Sequence, residues 1–138
     1  MNETIAKMAK EYEEDSFFTH APFTDEMLGA AQCELGVVLP TQYVDSLKEF
    51  GHGGVAGVSI EGVGCDGSLI FVEDTIEYRG LGMPSNLVIV ENIDEWVYCI
   101  DCDTGHIVSW SQLDGVRDEY DDFDAFVIDE FTEAIANL

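Results

Sequence analysis

The segment from 87 to 110 constrains the fold more than any other part of the chain. It contains three short apolar runs, at 87–91, 96–101 and 106–110, and the gaps between them hold only a few residues. Two parallel strands need a connection of about a dozen residues or more, which these gaps cannot supply. The spacing therefore predicts antiparallel strands, with a hairpin turn over 101–105.

Apolar residues at helical spacing lie on both sides of these strands. Residues 25–35 follow Thr24, a favourable N-cap, and stop at Gly36, a favourable helix end. Similar stripes predict helices over 41–50 and 124–137. Shorter elements are also expected, namely helices over 5–12 and 73–79 and a strand over 55–60. The predicted fold class is α+β: an antiparallel sheet with N-terminal and C-terminal helices packed on it, in a single domain over residues 1–138.

Charge sets this chain apart from most globular domains. Its 138 residues include 29 Asp or Glu and only 5 Lys or Arg, which gives a formal net charge of −24 at pH 7. A surface that binds nucleic acid needs clustered cations to neutralise phosphates, so direct nucleic-acid binding is excluded. An anionic membrane surface would repel the chain for the same reason. The remaining partners are cations, metals, neutral molecules and basic proteins, although a high charge can also serve solubility alone.

The composition and the first residues predict where the chain works. An apolar content of 46% with 11% aromatic residues is typical of a folded domain rather than a disordered acidic tail. The N-terminal segment lacks the apolar core of a signal peptide, and no run approaches the roughly 18 apolar residues of a membrane span. We therefore expect a cytoplasmic protein in which Cys33, Cys65, Cys99 and Cys102 are free thiols.

Two short patterns near the hairpin turn resemble metal sites but are incomplete. Cys99-x-x-Cys102 has no second pair to complete a zinc ribbon, and strand residues three apart point to opposite faces. We expect Cys99 to lie in the core and Cys102 in the turn. Asp101-x-Asp103-x-Gly105 lacks the other ligands of an EF-hand calcium loop, so these residues fit a hairpin turn better. The sequence therefore predicts no metal site and no cofactor.

Motifs for catalysis are also missing from the sequence pattern. Gly62-x-Gly64 meets neither phosphate-binding fingerprint, and we interpret 61–68 as a surface loop. The three histidines are scattered, and no Gly-x-Ser-x-Gly elbow occurs. We therefore expect no catalytic residues and a protein that is not an enzyme. The alternative in this class is a small metal-dependent hydrolase that uses the Asp101–Asp103 region.

An ordered set of residues between about 24 and 138 carries a further signal. Its members are Leu39-Pro40, Tyr43, Leu47, Phe50, Gly53-Gly54, Leu87 to Val90, Trp96 to Asp101, Gly105, Ile107-Val108, Phe123, Phe126 and Phe131. In this order they resemble the SUKH superfamily, which includes bacterial immunity proteins and the fungal Knr-type cell-wall regulators. The resemblance implies a SUKH-like α+β domain without a catalytic motif. For many bacterial members it also implies binding to a toxin, but it identifies no partner-binding surface.

The acidic run from Asp114 to Asp124 is the candidate interface, because it combines many carboxylates with aromatic residues that favour binding hot spots. The simpler interpretation is a solvated loop followed by carboxylates that favour a helix N-terminus. The candidate partner-binding residues are Asp114, Asp118, Glu119, Tyr120, Asp121 and Asp122, with Tyr120 as the anchor.

These features together predict an immunity protein, or antitoxin, that binds and neutralises a cognate toxin. A nuclease is the expected target, because the cleft of a nuclease must be basic to hold phosphates, and an acidic protein can occupy or guard it. The alternative is a regulatory scaffold that binds other proteins without blocking a catalytic site.

Overall fold

The computed structural model describes all residues, 1–138, and contains five α-helices and six strands. In chain order these elements are α1 (Glu3–Glu11), β1 (Ser16–Phe18), α2 (Asp25–Leu35), α3 (Thr41–Phe50), β2 (Gly53–Val55), α4 (Ile70–Arg79), β3 (Leu87–Asn92), β4 (Val97–Asp101), β5 (Ile107–Ser111), β6 (Gly115–Tyr120) and α5 (Phe123–Ala136). The α+β class is confirmed.

Helices α2, α3 and α5 form where the sequence pattern predicts them. The Thr24 hydroxyl accepts a hydrogen bond from the Met27 amide at 3.1 Å, which caps α2. At the other end Gly36 takes a φ of 69°, a left-handed conformation that glycine adopts without strain. Helix α4 is longer than predicted and begins at Ile70.

The prediction of a strand over 55–60 is wrong. Strand β2 ends at Val55, and Ala56 and Gly57 both have positive φ angles, which turn the chain back on itself. Ile60 then returns to form an isolated bridge with Gly53. Strand β2 pairs instead with β1, which the sequence pattern did not predict.

The main sheet is antiparallel and has four strands in the order β3-β4-β5-β6. The first three strands were predicted, and β6 was not, because it occupies part of the acidic run. Acidic residues have low strand propensity, so the charged residues 117–119 gave no indication of a strand in the sequence. The signal that could have found it is Asp114-Gly115, a pair typical of hairpins, with Gly115 at a φ of 71°.

Alternation along β4 separates two apolar clusters, as predicted. Ile100 is buried in the main core between the helices and the sheet, and Tyr98 packs against that core. Val97 and Cys99 belong to a smaller cluster on the opposite face, which includes Met83 near the end of α4. Trp96 lies just before β4, and its ring packs edge-on against Tyr98 with centroids 6.2 Å apart.

A bulge in β3 changes which side chains face the helices. Ile89 pairs with Cys99, but the next paired residue is Glu91, opposite Tyr98, so Val90 is an extra residue. Because cross-strand neighbours share a face, Glu91 points to the helix side rather than following Ile89 to the small cluster.

The glycine-rich stretch 61–68 is not simply a surface loop. Glu61, Gly62, Val63 and Gly64 are buried, and only residues 65–67 are exposed. A Cβ atom on Gly62 would lie 1.7 Å from the carbonyl oxygen of Gly51. The stretch therefore needs glycine at this position because two backbone segments pass in contact.

We expect Gly62→Ala to lower the free energy of unfolding by about 1–3 kcal/mol or more, because backbone atoms must move apart. Gly29→Ala is the matched control, since Gly29 lies within α2 and a Cβ there meets nothing within 4 Å. It should raise stability by about 0.5–1 kcal/mol through helix propensity. Urea denaturation of both variants measures the difference, and equal stabilities would contradict the close approach.

Candidate partner-binding surface

Strand β6 carries the centre of the acidic run and lies at the edge of the sheet. It pairs only with β5, so its outer backbone N–H and C=O groups have no strand partner. An edge of this kind is a template for unwanted strand pairing, and charged side chains are a common protection against it. The charge of β6 therefore has a structural explanation that does not require a partner.

The two faces of β6 divide the predicted site residues. Asp118 pairs across the sheet with Val108 and lies on the side of the small cluster, where its carboxylate is 3.3 Å from His106 Nδ1. A bulge follows, and Glu119 lies on the helix side, where it accepts a hydrogen bond from the Ser109 hydroxyl at 2.8 Å. Neighbouring carboxylates in the sequence thus face in opposite directions.

Tyr120 ties β6 to the last helix. Its hydroxyl donates a hydrogen bond of 2.6 Å to the Asp129 carboxylate, and its ring packs edge-on against Phe126 with centroids 5.5 Å apart. Burial, followed by the bond to Asp129, raises the pKa of the Tyr120 hydroxyl well above its usual range. Tyr120 is half-buried, so only part of its ring is open to a partner.

The remaining predicted residues flank the strand. Asp122 caps α5 by accepting a hydrogen bond of 2.8 Å from the Ala125 amide. Asp114 lies in the β5–β6 turn, and its amide donates to the Ser111 hydroxyl at 3.0 Å. Asp121 is exposed between β6 and α5. The structure therefore leaves four exposed carboxylates available to a partner, at Asp114, Asp118, Glu119 and Asp121.

Two of these carboxylates meet at one shallow depression of about 320 Å³ on the helix side of the sheet, which we call the β6 depression. Asp114 and Glu119 line it, together with Trp96, Tyr98 and Glu95. The side chain of Arg117 also lines it. The structure thus brings residues near 95 together with the acidic run, which the sequence pattern did not indicate.

Few of the carboxylates have a cationic partner. Lys48 pairs with Asp25 at 2.8 Å, which lowers the pKa of that aspartate. Arg79 instead donates to the carbonyl oxygens of Leu35 and Ser85. Arg117 has no carboxylate within the 4.0 Å of an ion pair. The negative charge of the surface is therefore largely uncompensated within the chain.

The two cysteines near the hairpin turn point to different sides of the sheet. Cys99 is buried in the small cluster, whereas Cys102 lies in the turn and packs against the main core. Burial raises the pKa of the Cys102 thiol to about 12, and it raises that of Cys99 further. Both thiols stay protonated at neutral pH, and the thiolate is the form that binds metals and attacks electrophiles.

The Asp101–Asp103 region has a structural explanation. Asp101 Oδ1 accepts hydrogen bonds from the Asp103 amide at 2.9 Å and from the Asn86 side chain at 3.0 Å. These bonds hold the turn, as predicted for a hairpin. No group of three or more His, Cys, Asp or Glu side chains is arranged to hold a metal ion.

Sequence reasoning missed two pairs of carboxyl groups beneath the helices. Glu61 and Glu91 are only 6% and 5% exposed. Burial, and then a hydrogen bond with Asp74, raises the pKa of Glu61 to about 10. Burial, and then a hydrogen bond with Glu130, raises the pKa of Glu91 to about 9. Both glutamates are therefore protonated at pH 7, and the net charge is less negative than the formal value.

These pairs depend on shared protons. Glu61 Oε2 and Glu91 Oε1 accept no hydrogen bond from an N–H or hydroxyl group of the protein. A buried carboxylate without a donor would be costly, so the protonated form is the one that fits the interior. The bulge at Val90 is what turns Glu91 inward, and a bulge of this kind leaves no clear mark in the sequence.

We expect stability to fall as the pH rises from 6 to 9. The unfolded chain releases each of these protons near the ordinary pKa of 4.5, whereas the folded chain keeps them until about pH 9–10. The stability that the protons contribute is therefore complete below pH 4.5 and is lost as the pH rises through the folded pKa. The slope is at most about 1.4 kcal/mol per pH unit for each retained proton.

The measurement is urea unfolding at constant ionic strength for the wild type and the Glu61→Gln/Glu91→Gln variant. Glutamine stays neutral, so the variant should have a flatter pH profile. Glu13→Gln/Glu14→Gln removes two exposed carboxylates and is the matched control. Equal slopes in the wild type and the buried variant would show that the glutamates are not protonated in the folded state.

One comparison with known proteins bears on identity. The family model SUKH_5, described as "SMI1-KNR4 cell-wall", matches residues 1–132. The match covers nearly the whole chain and includes α1, which lies outside the segment that carried the resemblance. No helix in the structure is both long and apolar enough to cross a membrane. The chain belongs to the SUKH, or SMI1-KNR4, family.

Proposed function

We propose that this chain is an immunity protein that binds and neutralises a cognate toxin in a bacterial cytoplasm. The toxin is a protein with a basic cleft, and a nuclease is the class that best meets this description. The chain acts by binding and needs neither a catalytic residue nor a cofactor of its own. Membership of the SUKH family supports an immunity-type domain with a protein partner.

The observation that carries the proposal is the arrangement of uncompensated charge around β6. Four exposed carboxylates, at Asp114, Asp118, Glu119 and Asp121, lie on or beside the free edge of the sheet. The sign excludes an anionic ligand and favours a cationic surface. Asp118 and Glu119 lie on the edge strand itself, whereas Asp114 and Asp121 lie in the segments that flank it.

Inhibition would use two separate physical effects. The long-range field would steer a basic toxin towards the acidic surface and raise the association rate, up to about 10⁸–10⁹ M⁻¹s⁻¹ at low salt. Lifetime of the complex would depend on desolvated contacts and well-paired charges rather than on net charge. Carboxylates held in a nuclease cleft would occupy the positions of substrate phosphates and block the reaction.

A second candidate is a regulatory scaffold that binds other proteins without inhibiting a catalytic site. This scaffold hypothesis is supported by the description of the matching family model, which refers to the cell wall. A toxin gene beside the gene for this chain, and co-purification of the two products, would favour immunity. A partner without toxic activity would favour the scaffold.

We expect charge removal at β6 to slow association with the toxin. The variant Asp114→Asn, Asp118→Asn, Glu119→Gln, Asp121→Asn should associate about tenfold more slowly at low salt, and its rate should depend less on ionic strength. Asp122 stays unchanged because it caps α5. The measurement is binding kinetics at several salt concentrations, with protection of toxin-expressing cells as the biological readout.

The matched control removes the same charge elsewhere, through Glu11→Gln, Glu13→Gln, Glu14→Gln and Asp15→Asn, all exposed residues at the end of α1. It should slow association much less than the β6 variant. If the two variants behave alike, only the net charge matters and β6 is not the interface.

Tyr120 has a structural role that its test must separate from binding. We expect Tyr120→Ala to speed dissociation of the toxin by an amount equivalent to about 2 kcal/mol if the ring is a hot spot. The same change removes the contact with Phe126 and the bond to Asp129, so it should also lower stability. Tyr120→Phe keeps the ring and loses only the hydroxyl. A Tyr120→Phe variant that dissociates as fast as Tyr120→Ala would rule out the ring as the anchor.

A further inference from the structure

We propose that the β6 depression is a docking site for an arginine side chain of a basic protein. The proposal deepens the proposed function and rests on it for the identity of the partner. The chemistry of the depression itself stands on the residues that line it.

An aromatic wall forms one side of the depression. Trp96 is half-buried and packs edge-on against Tyr98, with ring centroids 6.2 Å apart. Tyr98 in turn packs against Phe126 of α5, with centroids 5.1 Å apart. Tyr98 is therefore supported by the main core, and Trp96 packs on Tyr98. A guanidinium group stacks on aromatic rings of this kind, with tryptophan the best acceptor.

Carboxylates surround the wall. The Ser109 hydroxyl donates to Glu119 at 2.8 Å and holds it on this face of the sheet. Asp114 and Glu95 line the same depression, and both are exposed. Planar carboxylates accept paired hydrogen bonds from a guanidinium, which a lysine ammonium cannot match in geometry. A wall for stacking and carboxylates for hydrogen bonding together favour arginine over lysine.

The size and the setting of the depression fit one side chain on a larger partner. Its volume of about 320 Å³ is at the lower end for a ligand pocket. It lies open on the sheet beside the free edge strand, so a protein surface can approach it. The uncompensated charge of the chain attracts a basic surface, and at this depression one arginine would find both kinds of contact.

Replacing Arg117 gives a test with an unusual expected result. Arg117 lines the depression, makes no ion pair, and repels an incoming cation. Replacing it with a neutral residue should therefore tighten binding, whereas most substitutions in a binding site weaken it.

The experiment follows the two tryptophan indole N–H signals during titration with a short probe peptide, acetyl-Gly-Arg-Gly-amide. The control peptide carries citrulline, which has nearly the same shape without the charge. Trp96 and Trp110 both line the depression, but Trp110 is buried and packs its ring against Tyr78 on the other face of the sheet. Trp96→Phe assigns the signals.

We expect a saturable shift of the Trp96 signal with a dissociation constant in the millimolar range, and a much smaller shift of Trp110. Glu119→Gln should weaken binding several-fold, and Arg117→Ala should tighten it several-fold. Both residues are exposed, and the rest of the spectrum reports whether each variant is folded. The proposal is overturned if no saturable shift appears, if citrulline gives the same shift, or if Arg117→Ala weakens binding.

The titration needs no toxin, so its outcome is independent of the proposed function. If the peptide does not bind but the protein still protects cells, the arginine site is disproved and the proposed immunity function is unaffected. If the peptide binds but the protein captures no toxin, the immunity function is disproved and the arginine site is unaffected.

Discussion

A continuous series of aromatic contacts joins the parts of this fold. Tyr120 of β6 packs on Phe126, Phe126 on Phe123, and Phe123 on Tyr43 of α3, with centroid separations of 5.5, 6.3 and 5.3 Å. Tyr43 continues to Phe71 of α4 at 5.6 Å. Aromatic pairs of this type stabilise by about 0.5–1.5 kcal/mol beyond the burial of their surface. The series connects the acidic edge strand to helices far from it in the sequence.

This core has to hold together a chain with a formal charge of −24, and the position of each carboxyl group reflects that demand. Glu61 and Glu91 lie inside, where each shares a proton with a second carboxyl group and carries no charge at neutral pH. The carboxylates of the acidic run stay in solvent, apart from those that cap or brace α5. The buried carboxyl groups are thus neutral, and the negative charge of the protein lies at its surface.

Much of the fold was predictable because its elements have regular apolar patterns. The helices over 25–35 and 41–50 and the strands β3 to β5 follow from spacing alone, together with caps such as Thr24. Strand β6 was not predictable from apolar alternation, because its central residues are charged and are held in the sheet by pairing with β5.

The candidate site was predicted only in part, for a related reason. A run of carboxylates in the sequence suggests one surface, but a strand sends Asp118 and Glu119 to opposite faces. The contribution of Trp96 and Glu95 comes from the pairing of distant strands. Buried pairs such as Glu91 with Glu130 depend on a bulge, which no local pattern marks.

The free edge of β6 has a consequence for which chains can extend the sheet. Any strand added there would run beside Arg117, Asp118 and Glu119 and beside the carboxylates that flank them. A second copy of this chain that approached by the same edge would bring like charges and be repelled. A strand rich in lysine or arginine would meet attraction at the same backbone groups. The charge of the edge therefore determines which strands can pair with it. The same carboxylates repel an acidic strand and attract a basic one.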